Sequence, residues 1–283
     1  MALAVLAQTV APAPAGPVSL AIRYPAGATY AYGVTLHSTI GNRATIGTTA
    51  EVEIRILTAG GPNNYEATLR FTRFATTVES TDAQAKAGLV KQSADTDHAA
   101  VTMQPVKVKV TPDTFTIESR SPGADYDQPV EMLTQLARAD VLPSGPVQVG
   151  SSWTRVRTQP IPTMNTSVAL HMQCSLVAVG EAGGQPAVTL RVVSTGNAEL
   201  PAGSLPGSDE LARQGLVAVA TVGFNTDATS EYRQADAVLL SSKSETRNHM
   251  HVKLVGPSPN ATAYDTDITS SSTVKLLKAE QPK

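Results

Sequence analysis

Leu142-Pro143-Ser144-Gly145-Pro146-Val147-Gln148-Val149-Gly150-Ser151-Ser152-Trp153 interrupts a chain that is β-patterned on both sides. Pro143 and Pro146 fix φ at about −65° and hold the residues before them extended, while Gly145 and Gly150 permit turns that other residues resist. No helix continues through such a stretch, and it reads as a hinge. Val147 and Val149 alternate with Gln148, a pattern that suits a short paired strand. Trp153, the only tryptophan, restarts the chain after Gly150. It is expected to be a core anchor with its indole N–H on an acceptor, in preference to a ligand-stacking wall.

Outward from the hinge, composition sets the class. The 283 residues suffice for one large β domain or two smaller ones, and 41% are hydrophobic, enough to build a core. Only 16% are charged and the net charge is −2 without a basic tract, which argues against nucleic acid or an anionic membrane surface as partners. Ser and Thr fill the polar positions instead, as suits two-faced antiparallel sheets. No stretch stays apolar for the roughly 18 residues that a membrane helix needs. Cys174 is the single cysteine, so no intrachain disulfide forms; between Gln173 and Ser175 it reads as a small buried hydrophobe.

Residues 1–17 are expected to be a signal-peptide remnant followed by a stiff Pro/Ala linker, Ala11-Pro12-Ala13-Pro14-Ala15-Gly16-Pro17, with folding beginning near Val18. Residues 18–141 then form a first β-rich half. It opens with a meander of strands over Ala28–Ile40, Thr45–Leu57 and Tyr65–Thr77. In Glu51-Val52-Glu53-Ile54-Arg55-Ile56 charged residues occupy one face and aliphatics the other. A helix is predicted over Thr81–Gln92 with Thr81 and Gln84 at capping-box spacing, then a hairpin of Val106–Val110 and Thr114–Ile117. A better helix, over about 127–140, starts at Asp127, carries Val130, Leu133, Leu136 and Ala137 on one face, and ends before Pro143. It should cover a sheet.

Residues 142–283 form the second β-rich half, joined to the first as two domains or one continuous one. Strands are expected over Trp153–Arg157, Thr166–Val179, Ala187–Thr195, Leu216–Phe224, Ser230–Ser241, Glu245–Leu254 and Ala263–Leu277, the last as an edge. Asn197–Gly215 is a long connection with one helical turn at Ser208. Thr68-Leu69-Arg70 after Gly60-Gly61-Pro62 is echoed by Thr189-Leu190-Arg191 after Gly183-Gly184-Gln185-Pro186, so the halves could be copies of one meander or chance look-alikes.

Chemistry is thinly marked. His249 and His251 share a strand face, a geometry that a metal could use, but a third and fourth ligand could come only from His37, His98, His171, Cys174 or a distant carboxylate. Asp95-Thr96-Asp97-His98 and Asp265-Thr266-Asp267 lack the glycine turn and distal glutamate of a calcium loop and read as solvated turns. There is no Gly-x-Ser-x-Gly elbow, phosphate-cradling loop or His-Glu-x-x-His. Asn165 and Asn260 match a glycosylation pattern that matters only in a eukaryotic secretory route. No catalytic, cofactor-binding or metal residues are assigned, no cofactor is implied, and the ligand-binding residues are unknown.

The twelve residues quoted above resemble a Leu-Pro…Pro-Val-x-Val-Gly-x-x-Trp signature of uncharacterised exported or lipoprotein-type bacterial β-rich proteins, and as strand layout the resemblance runs from about Ala28 to Leu277. It implies a periplasmic or cell-surface location and a β-rich fold, and carries over no functional residues. A lipobox cysteine near the start, which lipid anchoring would need, is missing. The expected fold is mainly β: a curved antiparallel sheet or half-barrel, built from two related halves, with one or two covering helices. The leading expectation for function is a non-catalytic exported cell-envelope protein that binds a lipid or other hydrophobic ligand, or an envelope protein partner. A hydrolase whose site assembles only in the fold, and a structural or interaction module of the cell surface, are the alternatives. A histidine within reach of both a serine and a carboxylate in a cleft would favour the hydrolase; an exposed apolar edge would favour the module.

Overall fold

The computed structural model describes residues 16–41, 43–112, 114–119, 127–161, 166–200, 208–213, 215–255 and 263–282. The strands β1 (Thr29–Ile40), β2 (Ala44–Gly61), β3 (Asn64–Ser80), β4 (Val106–Val110), β5 (Phe115–Ser119), β6 (Ser152–Ile161), β7 (Thr166–Ala182), β8 (Gln185–Leu200), β9 (Val217–Arg233), β10 (Leu239–Val255) and β11 (Ala263–Glu280) form one curved antiparallel sheet. Its order is β5-β4-β3-β2-β1-β11-β10-β9-β8-β7-β6, open at both ends. Residues 18–141 supply one side and 142–283 the other, and the halves meet where β1 pairs with β11, Thr29 opposite Glu280 and Ile40 opposite Ile268. The last strand is therefore not an edge, as its poor apolar pattern suggested. It lies in the middle of the sheet, where long-range pairing outweighs local composition.

The main core lies on the inner face at the proximal end, near the β2–β3 and β7–β8 turns. Tyr30, Tyr32, Val52, Ile54, Leu69, Val106 and Val108 project from the sheet, and α2 (Asp127–Ala137) covers them with Val130, Leu133, Leu136 and Ala137. The segment before β1 closes this end. Val18 bridges Val147, Ile22 exchanges hydrogen bonds with Asn63, and the Arg23 N–H donates to the Asp236 carbonyl, so Leu20, Ile22 and Tyr24 are buried. Tyr24 packs on Tyr30 and Tyr65 at centroid distances of 4.8 and 4.9 Å. Burial raises the Tyr24, Tyr32, Tyr65 and Tyr232 hydroxyls above the usual phenol range. A smaller core at the distal end joins Val168, Leu170, Leu200, Ala220 and Val252 with Leu211 of α3 (Ser208–Arg213).

The hinge residues carry out the expected turn. Gly150 takes φ 88° and its N–H reaches the Leu176 carbonyl, while the Trp153 indole donates to the Val141 carbonyl at 3.1 Å. Val147 forms an isolated bridge rather than a strand. Trp153 is a half-buried anchor between the main core and the Met172–Cys174–Val192 cluster. Cys174 is fully buried, and desolvation pushes its thiol up to about 11.

Three local expectations are corrected. The first helix, α1, spans Ala83–Thr102, and its N-cap is Asp82, whose carboxylate accepts from the Gln84 N–H at 2.9 Å, not Thr81. Its extension through Ser93–Thr102 is held by tertiary contact: β3 beyond Leu69 has no strand on its outer edge, and Asp97 fills that place by accepting from the Thr76 N–H and hydroxyl at 2.9 and 2.7 Å. The second helix stops at Ala137, three residues early, and the Tyr65 hydroxyl caps the Ala137 carbonyl. Ser230–Ser241 is not one strand. It contains the end of β9, a turn at Gln234–Val238 and the start of β10, and that turn lacks Gly and Pro because Arg233 clamps Asp236 through two bonds of 2.7 Å while Ala237 adopts φ 50°. The signal-peptide remnant and both glycosylation asparagines lie outside the described residues, apart from Gly16 and Pro17 of the linker.

Candidate functional site

Antiparallel register aligns residues of successive strands into rows that cross the sheet. On the inner face, Ser194, Thr226, Thr246, Ser270 and Ser38 occupy one row over β8, β9, β10, β11 and β1. The next row toward the proximal end places Ser244, Ser272, Leu36, Thr48 and Thr76 side by side, and the one after that pairs Ser230 with Ser242. Four hydroxyl rungs bridge neighbouring strands: Ser38–Ser270 at 2.9 Å, Ser244–Ser272 and Ser230–Ser242 at 2.8 Å, and Thr226–Thr246 at 3.0 Å. Ile46 and Val78 continue the Ser38–Ser270 row on β2 and β3, and Ile40 and Ile268 lie distal to it; these aliphatics join neither core.

The inner face of β10 and β11 is half-buried residue after residue, and the outer face is exposed. This half-buried zone between the two cores, called the trough below, lies outside the α2 and N-terminal cover that fills the proximal end. Its sequence signal is an alternation of hydroxyl and charge, Ser242-Lys243-Ser244-Glu245-Thr246-Arg247, which a search for apolar strand faces passes over.

The outer face carries the charges. Arg70–Glu53, Lys107–Glu118 and Arg191–Asp227 form exposed cross-strand pairs. An open depression of about 950 Å³ lies there over β7–β11, lined among others by His171, Asn197, Asn225, Arg247, His249 and Asp267. Gly223 sits between Asn197 and His249 in the row and leaves backbone as the floor.

His249 and His251 point to one side, as their spacing predicts, and each meets a carboxylate of β11. His249 Nδ1 lies 2.7 Å from Asp267 and its Nε2 3.3 Å from Asp265, and His251 Nδ1 is 2.8 Å from Asp265. The Asp267 hydrogen bond, with Asp265 behind it, raises the His249 pKa, and the His251 hydrogen bond lowers that of Asp265. His171 lines the same depression; His37 and His98 are exposed elsewhere, on β1 and α1, and Cys174 faces the core. Among the described residues no group of three or more His, Cys, Asp or Glu is disposed to hold a metal ion. Among the described residues that line this depression beside His249 there is no serine.

The fold is an open, half-barrel-like antiparallel sheet with a trough on its inner face. No protein-family model and no curated protein matches the chain. Among solved structures it is similar to one on lipid–protein interactions in lipovitellin, at 12% identity and a TM-score of 0.46, covering 92% of this chain and 26% of that one. It thus spans about a quarter of the lipovitellin chain. An outer membrane channel from Pseudomonas putida F1 aligns over 89% of this chain and 97% of its own at 8% identity and a TM-score of 0.15. A loop-deletion mutant of the Vibrio cholerae outer membrane protein OmpT aligns over 88% and 99% at 9% identity and 0.12. At these scores none of the likenesses carries an argument about function. No helix among the described residues is long and apolar enough to cross a membrane.

Proposed function

We propose that the chain is a non-catalytic, exported bacterial cell-envelope protein that holds a hydrophobic ligand against the inner face of its sheet. One observation carries this reading: Leu36, Ile40, Ile46, Val78 and Ile268 are half-buried on the inner face yet packed into neither core. Apolar surface in that condition gains about 25 cal/mol for each Å² that a ligand removes from water. The proximal part of the face is already filled by the protein's own side chains, so the ligand's place is the trough between the cores. Export rests on the small-residue, Pro/Ala N-terminus and the hinge signature. Native mass spectrometry of protein purified from its own host, followed by lipid extraction, tests the reading. A stoichiometric lipid supports it; a bare chain that also fails to take up lipid from vesicles overturns it.

A separate observation favours the interaction module as a second reading. Strand β6 ends the sheet, and Val156 on it is 65% exposed, so an unpaired edge presents an apolar side chain. Light scattering of the chain with and without Val156→Lys checks it, since self-association through β6 should be lost in the variant.

A further inference from the structure

The register of the sheet sorts charge completely. From β2 across β1, β11, β10 and β9 to β8, the inner-facing positions are occupied by aliphatic, aromatic, hydroxyl, glycine and amide residues, and not one carries a charge. Their outer-facing neighbours include Glu51, Glu53, Arg191, Lys243, Arg247, Asp267 and Lys275. Asp97, Arg155 and Arg157 stand at the margins of the inner side and are engaged. Asp97 of α1 binds Thr76 beside β3, Arg155 of β6 donates to the Leu142 carbonyl at 3.0 Å, and Arg157 pairs with Asp140 at 3.4 Å.

An ionised headgroup laid on this surface would lose water and find no counter-charge, a cost of several kcal/mol for an ion in a sheltered site. The rungs offer something different. In the Ser38–Ser270, Ser244–Ser272 and Thr226–Thr246 pairs one hydroxyl donates to the other, which leaves the second proton and several lone pairs for a guest. These three rungs supply neutral donors and acceptors together, in a band that Ile46 and Val78 continue on β2 and β3 and that Ile40 and Ile268 border distally. That arrangement matches ester carbonyls and free hydroxyls attached to an apolar body.

We infer that the trough selects an uncharged amphiphile, an acylglycerol-like neutral lipid, with its ester and hydroxyl oxygens on the serine and threonine rungs and its chains on the aliphatics beside and distal to them. This rests on the ligand-binding reading above and specifies its substrate class.

The test compares three fluorescent probes with the same labelled acyl chain: a diacylglycerol, a phosphatidylglycerol and a free fatty acid. Titration with the full chain is expected to give at least tenfold tighter binding of the diacylglycerol. The paired variant Ser244→Ala/Ser272→Ala, which leaves no orphaned partner, should weaken the diacylglycerol several-fold while the circular dichroism spectrum is retained. Thr246→Lys, which introduces a cation, should reverse the preference toward the anionic probes. Equal or tighter binding of either anionic probe by the unmodified chain overturns the inference and leaves the ligand-binding reading standing. Failure of all three probes to bind counts against both, and retained diacylglycerol affinity in the double-alanine variant removes the rungs from recognition.

Discussion

His249 and Asp267 face each other across β10 and β11 with Nδ1 and Oδ1 2.7 Å apart, on the outer face and one residue-row from Arg247 and Thr269. The hydrogen bond to Asp267 is the largest cause of the raised His249 pKa. A histidine whose folded pKa is raised adds stability that is fully present below its ordinary value of about 6.5 and is lost as pH rises through the folded pKa. Because the pair is exposed, water and salt screen that contribution. Asp267→Asn should therefore lower the His249 titration midpoint and leave thermal stability nearly unchanged. Imidazole NMR titration of the two proteins measures it, and an unmoved midpoint would refute the assignment.

Leu133, projecting from α2 into the main core, is fully buried. Leu133→Ala should destabilise the chain by about 2–5 kcal/mol, the range for a large-to-small change in a site that cannot collapse. Urea unfolding with an unchanged slope is the expected form. A loss below 1 kcal/mol would mean that α2 contributes little to the main core.

Gly196 has no room for a methyl group: a Cβ would stand 2.8 Å from the Ala169 carbonyl oxygen and 2.9 Å from side-chain atoms of Val168 and Leu170. Gly196→Ala should cost about 1–3 kcal/mol by overpacking between β7 and β8. Gly223→Ala, with 3.3 Å to the Asn197 side chain, should be milder. Melting temperatures of the two variants rank them, and the reverse order would contradict the close approach of the strands at Gly196.

Asp97 ties α1 to the unpaired part of β3 through the Thr76 N–H and hydroxyl. Asp97→Ala should lose about 1 kcal/mol. Its local signature is faster amide exchange at Thr76 and along α1, where Val90 and Val101 already stand 47% and 43% exposed. Unchanged exchange at Thr76 would show that the edge is protected by other means.

Much of the fold was legible because two-faced strands write their period into local sequence. Glu51 to Ile56 and Val106 to Val110 alternate as they read, and Val130, Leu133, Leu136 and Ala137 lie on one helix face. The β9–β10 turn was hidden, since its shape comes from an Arg233–Asp236 clamp rather than from Gly or Pro. The candidate site was hidden for a similar reason. Ser38, Thr226, Thr246 and Ser270 are unremarkable singly, and they acquire meaning only when register aligns them across strands distant in sequence.

The sequence by itself determined that the chain is mainly β, that it turns between Leu142 and Trp153, that Cys174 is buried, and that His249 and His251 share a face. These follow from backbone sterics and side-chain period, which act over a few residues. Tertiary structure alone decided that β1 pairs with β11 and joins the halves into one sheet, that α1 covers the free edge of β3, and that the inner face from β2 to β8 is without charge. Those outcomes depend on which strand edges meet, and that choice is made by the burial and pairing of the whole sheet at once.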